Sequence, residues 1–232
     1  MSLLEVAGVS RSFGGNRAVD DVSFEMSVEA LAIVGPNGAG KTTLLNLVAG
    51  LLHPSRGSIR FRGREISRLP PWRVARLGMV KTYQVVRPFR SLTVEENLAL
   101  FSRLRGGSAL DGILDATGLT PYRHHLSGEL PFGLLKRLEL AKGLSTHPEL
   151  LLLDEPIGGL SRGEAEGLLA TLSALKGRGV RMIIVEHRLS EILTVVDRVL
   201  ALDRGRMIFH GSQSEFFRDP AVRTAYLGSD NA

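Results

Sequence analysis

Residues 35–43 of the chain read Gly35-Pro36-Asn37-Gly38-Ala39-Gly40-Lys41-Thr42-Thr43, which fits the pattern G-x-x-x-x-G-K-[ST]. The glycines permit a tight loop with positive φ, in which successive backbone N–H groups form a nest for phosphate oxygens. Lys41 adds a cation for the β- and γ-phosphates, and the Thr42 hydroxyl suits Mg²⁺. The apolar run Leu31–Val34 before the loop reads as a buried strand, and residues 44–49 after it read as a helix. Strand, loop and helix in this order predict a binding site for a nucleoside triphosphate.

A second pattern points to the same chemistry. Four leucines at 150–153 lead into Asp154 and Glu155, which predicts a buried strand that carries two carboxylates to the C-terminal edge of a sheet. Open α/β sheets bind ligands at that edge. Asp154 is a candidate Mg²⁺ ligand through the ion's water shell, and Glu155 is a candidate general base for an attacking water. The alternative, two solvated acids at a strand end, is disfavoured by the phosphate loop.

Strand and helix patterns alternate along most of the 232 residues, which favours an α/β fold with a largely parallel central sheet. Strands are predicted at 3–9, 19–26, 79–84, 149–153 and 181–185, and helices at 134–144, 162–176, 189–195 and 213–226. Thr93 and Glu96 have the spacing of a capping box at a helix start. Phe13, just before a glycine turn, is a candidate to stack on adenine, with a core position in the hairpin as the alternative.

Composition narrows the function classes. The chain has no cysteine, so disulfide and thiolate chemistry are excluded. No apolar run approaches the ~20 residues of a membrane-spanning helix. Residues 56–105 hold 12 Lys/Arg and 3 Asp/Glu. This basic region suggests nucleic acid, anionic lipid or an acidic protein surface as a partner, and a solvated arginine-rich surface is an equal alternative.

The motifs together resemble the nucleotide-binding subunit of ATP-binding cassette (ABC) transporters over nearly the whole chain. The resemblance adds Gln84 as the glutamine-loop residue and His187 as the switch histidine. It implies catalytic roles for Lys41, Gln84, Glu155 and His187, and a metal site at Thr42, Gln84 and Asp154. It also implies a P-loop NTPase fold in one ABC ATPase domain over residues 1–232. A RecA-like parallel-sheet core and an N-terminal antiparallel β-subdomain would occupy about 1–67 and 146–232, and a helical subdomain about 68–145.

The family signature LSGGQ is expected to begin 24 residues before Asp154, at Leu130-Pro131-Phe132-Gly133-Leu134. The resemblance implies that Pro131, Phe132 and Gly133 contact ATP held by a second cassette. Proline stands here in place of serine, and Leu134 in place of glutamine. The earlier Leu126-Ser127-Gly128-Glu129 imitates the signature but begins four residues before it, and is interpreted as a loop.

A narrower likeness is to the ATPases of branched-chain amino-acid importers. It is carried by Lys81-Thr82-Tyr83-Gln84, by residues 87–97, by Leu138-Glu139-Leu140-Ala141 and by Val185-Glu186-His187. It implies ATP and Mg²⁺ as cofactors and a peripheral position on the cytoplasmic face of the membrane. The implied partners are a second ABC ATPase subunit, homologous or identical, transmembrane permease subunits near Gln84 and, through the complex, a solute-binding protein. The alternatives are a soluble ABC ATPase acting on nucleic acid or the ribosome, which is disfavoured, and an ATP-sensing module with weak turnover.

Overall fold

A computed structural model describes residues 2–102 and 110–227 of the chain. The strands are β1 (Leu4–Phe13), β2 (Asn16–Met26), β3 (Ala30–Val34), β4 (Arg56–Phe61), β5 (Arg64–Glu65), β6 (Met79–Lys81), β7 (Leu150–Asp154), β8 (Arg181–Val185), β9 (Arg198–Asp203) and β10 (Arg206–Ser212). The helices are α1 (Lys41–Val48), α2 (Pro71–Leu77), α3 (Val94–Ser102), α4 (Leu110–Ala116), α5 (Phe132–Leu144), α6 (Arg162–Gly177), α7 (Leu189–Ile192), α8 (Gln213–Phe216) and α9 (Pro220–Leu227). Within the described ranges, no helix is long and apolar enough to cross a bilayer.

The chain forms two units, Met1–Val74 with Ile183–Ala232, and Ala75–Met182. The first unit contains an antiparallel sheet with the strand order β2-β1-β4-β5. Alternate residues are buried at the start of β1 and at the end of β2, because an antiparallel sheet covers its core on one face only. The predicted N-terminal hairpin with its glycine turn is confirmed.

The first unit also contains parallel strands. These strands lie in the order β10-β9-β3-β8. Of β8, the residues Ile183–Val185 belong to this unit. β3 pairs in parallel with β9, and β9 returns through β10 as an antiparallel hairpin. All five residues of β3 are buried, as expected for a strand that has neighbours on both sides and both faces covered. This strand leads directly into residues 35–40 and then into α1.

In the second unit, β7 pairs in parallel with β6, in the register Met79↔Leu150. α3, α4 and α5 surround a core of aliphatic side chains that includes Val94, Leu98 and Leu138. The predicted capping box at the start of α3 is confirmed, because the Glu96 carboxylate accepts from both the N–H and the hydroxyl of Thr93. The helical subdomain is predicted at 68–145, whereas this unit runs from Ala75 to Met182. The subdomain therefore stays a prediction.

Two predicted elements are shorter than expected, and a third is divided. The strand predicted at 79–84 ends at Lys81, because the Tyr83 N–H leaves the sheet and donates to the Glu139 carboxylate. α7 covers only 189–192 of the predicted 189–195. The helix predicted at 213–226 is two helices, since Pro220 cannot donate a helical hydrogen bond and the Asp219 carboxylate instead caps the first turn of α9.

Candidate nucleotide site

The Lys41 side chain binds the backbone of its own loop, the phosphate loop of the first unit. Gly40, with φ of 98°, caps the N-terminus of α1, so Lys41 is the first residue of that helix. The buried Lys41 ammonium donates to the carbonyl oxygens of Gly35, at 2.7 Å, and of Pro36, at 2.9 Å. The cation therefore lies inside the loop.

Two glycines of the loop cannot be replaced without moving the backbone around them. A Cβ on Gly35 would collide with the carbonyl oxygen of Leu202, and a Cβ on Gly40 with the carbonyl oxygen of Ala18. Gly38 also has positive φ but faces open space. A concave glycine loop with a lysine inside and a helix N-terminus behind it fits a nucleotide phosphate chain.

The strand-end carboxylates of the second unit are each held by a side chain from elsewhere in the chain. Asp154 is 3% exposed at the end of β7, and its Oδ2 lies 2.9 Å from the Lys81 ammonium. Glu155, the next residue, accepts a hydrogen bond of 2.6 Å from the Gln84 side-chain amide. The structure thus brings together three predicted site residues, Gln84, Asp154 and Glu155.

The backbone of Glu155 is in the left-handed region, with φ of 48°. This conformation costs a non-glycine residue about 1–3 kcal/mol and persists only where the surroundings impose it. One such constraint is visible: the Glu155 carbonyl oxygen accepts from the Lys136 ammonium, at 3.0 Å, and from the Gly158 N–H, at 3.1 Å. Strained backbone of this kind concentrates at functional sites.

Sequence reasoning missed two lysines of this group, Lys81 and Lys136. Lys81 could have been found, because β6 and β7 are parallel neighbours and the register places it next to Leu152, two residues before Asp154. Lys136 carried no sequence signal, since its partners lie 52 and 19 residues away along the chain.

Oxygen donors in both units suit Mg²⁺, which prefers carboxylates, hydroxyls and phosphates and keeps several waters. The predicted metal ligands are the exposed Thr42 in the first unit, and Gln84 and Asp154 in the second. In residues 2–102 and 110–227, no three His, Cys, Asp or Glu side chains form a group that would hold a metal. A hydroxyl, an amide and a carboxylate oxygen are each donors that Mg²⁺ accepts beside water and phosphate oxygens.

His187 follows β8 in the first unit and is exposed. The His187 backbone N–H donates to the carboxylate of Glu186 at 3.2 Å, and the ring Nδ1 lies 3.7 Å from the same carboxylate oxygen. Glu186 itself is fully buried and its N–H donates to the Ile33 carbonyl oxygen, at 3.4 Å. The predicted switch histidine is thus attached at the end of a core strand with its ring free to reach solvent.

Phe13, the predicted adenine platform, ends β1 in the same unit and is 46% exposed. The Arg11 guanidinium lies 5.1 Å from its ring centroid. The alternative of a buried hairpin position does not describe this side chain.

The predicted signature stretch forms the N-terminus of α5. Pro131 is the N-cap residue, and its carbonyl oxygen accepts from the Leu135 N–H at 3.0 Å. Phe132 is about half exposed, and Gly133 is buried against the Glu164 side chain, where a Cβ would collide with the carboxylate. Hydrogen bonds from the hydroxyl and N–H of Ser161 hold the pKa of the Glu164 carboxyl below its ordinary value.

The segment Leu126-Ser127-Gly128-Glu129, which imitates the signature, has a structural role. Ser127 is fully buried in a 3₁₀ helix, Ser127–Glu129. Its hydroxyl donates to the Phe89 carbonyl oxygen, at 2.8 Å, and accepts from the Asn97 amide, at 3.1 Å. A hydroxyl with these internal partners fits the interpretation of the segment as a structural loop.

These features define a P-loop nucleotide-binding protein of the α/β class. The family model described as ABC transporter matches residues 19–158, which is more than half of the chain. The chain therefore belongs to the ABC transporter ATPases, and it is an ATP-hydrolysing subunit with the predicted ABC cassette fold.

Individual relatives agree with this assignment. The chain is 35% identical to the high-affinity branched-chain amino acid transport ATP-binding protein LivG of Salmonella typhimurium, over 97% of this chain and 98% of the relative. It is 32% identical, over the same shares, to BraF of Pseudomonas aeruginosa, which carries the same description.

Solved structures give the same fold. An ATP-binding cassette of an ABC transporter, in its ADP conformation, has a TM-score of 0.88 and 30% identity, and covers 98% of this chain and 99% of its own. The cbiO1 protein of Clostridium perfringens, part of the transporter complex cbiONQ, has a TM-score of 0.85 and 26% identity over 97% and 96%.

Proposed function

We propose that this ATPase energises the uptake of branched-chain amino acids. The support for this substrate class is the full-length similarity to LivG and BraF, both described as branched-chain amino acid transport proteins. The observation that carries the catalytic part is the hydrogen bond between Gln84 and Glu155 beside the buried Asp154. An amide and two carboxylates therefore lie at one strand end, and groups of this kind can bind a metal ion and orient a water.

Each predicted residue has a defined task in this proposal. Lys41 neutralises charge on the β- and γ-phosphates, and the loop 35–43 supplies backbone donors for them. Glu155 accepts the proton of the attacking water, and Gln84 orients the Glu155 carboxylate. His187 contacts the γ-phosphate. Bound Mg²⁺, held by Thr42, Gln84 and Asp154, would add positive charge to the phosphates.

The proposal includes partners that the family requires. A second ABC ATPase subunit, homologous or identical, would be contacted through Pro131, Phe132 and Gly133 across a shared ATP. Transmembrane permease subunits would bind near Gln84 and place the chain at the cytoplasmic face of the membrane, with a solute-binding protein reached through that complex. The cbiO1 relative, described as part of a transporter complex, supports a permease partner by analogy.

Part of the basic region is matched by acidic neighbours in the sheet. Arg60 in β4 lies opposite Glu5 in β1 and opposite Glu65 in β5 in the strand register. Glu5 in turn lies opposite Glu25 of β2. Cross-strand neighbours of opposite charge offset each other, so this part of the arginine-rich surface is a mixed ladder of charges and not a continuous cationic stripe.

The catalytic assignment is tested with Glu155→Gln. This variant keeps the hydrogen-bonding shape of the side chain but cannot accept a proton, so we expect ATP binding to persist and phosphate release to fall by roughly 10²–10⁴-fold. Glu166→Gln is the matched control, since Glu166 is an exposed carboxylate paired with Arg162 on α6. Wild-type turnover of Glu155→Gln would remove Glu155 from the role of base.

The substrate assignment needs a transport measurement. Membrane subunits that copurify with the full chain are reconstituted in vesicles, and ATP-dependent accumulation of labelled leucine, isoleucine and valine is followed. We expect uptake that disappears with Glu155→Gln. Active ATP hydrolysis without uptake of any of the three amino acids would contradict the substrate class and leave the ATPase assignment intact.

A further inference from the structure

One face of α5 holds the backbone of the segment that contains Gln84. Lys136, Glu139 and Lys142 follow one another at intervals of three residues, and all three are buried. The Glu139 carboxylate accepts from the Tyr83 N–H at 3.2 Å, and the Lys142 ammonium donates to the Arg87 carbonyl oxygen at 3.3 Å. Side chains spaced in this way lie on the same side of a helix, so residues 83–87 are attached to α5 at several points.

Lys136 differs from its two neighbours on this face, because it also reaches the strand-end acids. Its ammonium donates to the carbonyl oxygen of Gln84, at 3.1 Å, and to that of Glu155, at 3.0 Å. The centroid of the Phe132 ring lies 5.6 Å from the same ammonium. An ammonium has three donors on one point charge, and here a single group joins the backbones of two predicted catalytic residues.

We propose that Lys136 is the positioning residue of the hydrolysis site. By fixing both carbonyl groups, it sets the distance between the Gln84 and Glu155 backbones, and hence the 2.6 Å hydrogen bond between their side chains. It also holds Glu155 in its left-handed conformation, with φ of 48°, which directs the carboxylate away from the course of a regular strand. This inference rests on the catalytic roles proposed for Glu155 and Gln84.

The test compares Lys136→Met with wild type in the full chain. Methionine keeps the length and most of the volume of the side chain but donates no hydrogen bond. We expect kcat to fall by about 10- to 100-fold, with the Kd for ATP unchanged, because the phosphate loop is untouched; misplacement of a reacting group by about 1 Å has effects of this size. Lys136→Arg, which restores a cationic donor, should recover most of the rate.

A second readout does not depend on turnover. The Gly158 N–H donates to the same Glu155 carbonyl oxygen as Lys136 does. Hydrogen exchange at residues 83–87 and at Gly158 should therefore quicken in Lys136→Met, while exchange in β3 and α1 stays unchanged. Arg137→Met is the matched control: Arg137 is the next residue of α5 and also donates to a carbonyl oxygen, that of Thr117. It should leave exchange at both sites as in wild type.

Three outcomes would overturn the proposal: wild-type kcat in Lys136→Met, no recovery in Lys136→Arg, or equal effects of Arg137→Met. If Lys136→Met does not fold, Lys136→Gln replaces it: its side chain is one bond shorter and uncharged, so it cannot join both carbonyl oxygens as the ammonium does, kcat should still fall, and wild-type kcat would overturn the proposal. Glu155→Gln is measured in the same assay. A rate loss in Glu155→Gln with a normal rate in Lys136→Met would contradict only the role of Lys136. A normal rate in Glu155→Gln would contradict the proposed function.

Discussion

The phosphate loop and the strand-end acids keep their functional side chains in place by different means. Lys41 donates to carbonyl oxygens that are five and six residues away. Asp154 and Glu155 depend on Lys81 and Gln84, which are 73 and 71 residues away along the chain. The Lys41 ammonium is thus held by carbonyl oxygens of its own loop, while the acids form a composite site made by β6, β7, α5 and the segment after β6.

This difference determines what a substitution can damage. Replacing Lys41 removes a cation that would face the ligand, and the carbonyl oxygens that it binds belong to the loop itself. Replacing Lys81 takes an ammonium away from the buried Asp154 carboxylate, because that ion pair joins side chains of two different strands. We therefore expect replacement of Lys41 to affect ATP affinity, and replacement of Lys81 to affect the free energy of unfolding.

A substitution at Lys41 separates these two consequences. Lys41→Ala removes a cation that would make charge-assisted hydrogen bonds with the phosphates, so ATP affinity should fall by about 100-fold, at the upper end of such bonds. The free energy of unfolding, measured by urea denaturation without nucleotide, should change by less than about 1 kcal/mol. Unchanged affinity in calorimetry would contradict the interpretation of this loop.

Lys81→Met should have the opposite pattern. It leaves the buried Asp154 without the ammonium at 2.9 Å, and breaking a buried ion pair costs about 3 kcal/mol or more. Arg162→Met is the control, since the Arg162–Glu166 pair is exposed on α6 and its removal should cost less than about 0.5 kcal/mol. Equal costs in urea denaturation would show that burial does not distinguish the two pairs.

A smaller effect is expected at Pro131, whose ring takes the place of a hydroxyl and an N–H at the start of α5. Pro131→Ser adds donors for a phosphate held by a second cassette, and one such bond contributes about 1.5–3 kcal/mol. Proline offsets part of this by its fixed φ. In a Glu155→Gln background with saturating ATP, sizing should therefore show several-fold more dimer than with Glu155→Gln alone. Less dimer in Pro131→Ser would place the signature contact elsewhere.

What could be predicted from the sequence follows the same division between local and long-range contacts. The loop, the α/β class and the Thr93–Glu96 capping box each depend on neighbouring residues, and each was predicted. The strand towards Gln84 was predicted three residues too long, because its end is set by Glu139, 56 residues away from Tyr83. Lys136 was not found at all, since a lysine in a helix has no local pattern that shows what its ammonium reaches.

The position of β3 in its sheet has a consequence for biosynthesis. The β3 N–H of Ala30 donates to the carboxylate of Asp197, 167 residues further along the chain, and β3 pairs with β9 beyond that point. At roughly 5–20 residues per second, the ribosome needs about 10–30 s to supply those partners after β3 has emerged. During that time the apolar segment Ala30–Val34 has an unpaired edge. We therefore expect nascent chains that stop before residue 198 to bind chaperones, and release to coincide with the emergence of β9.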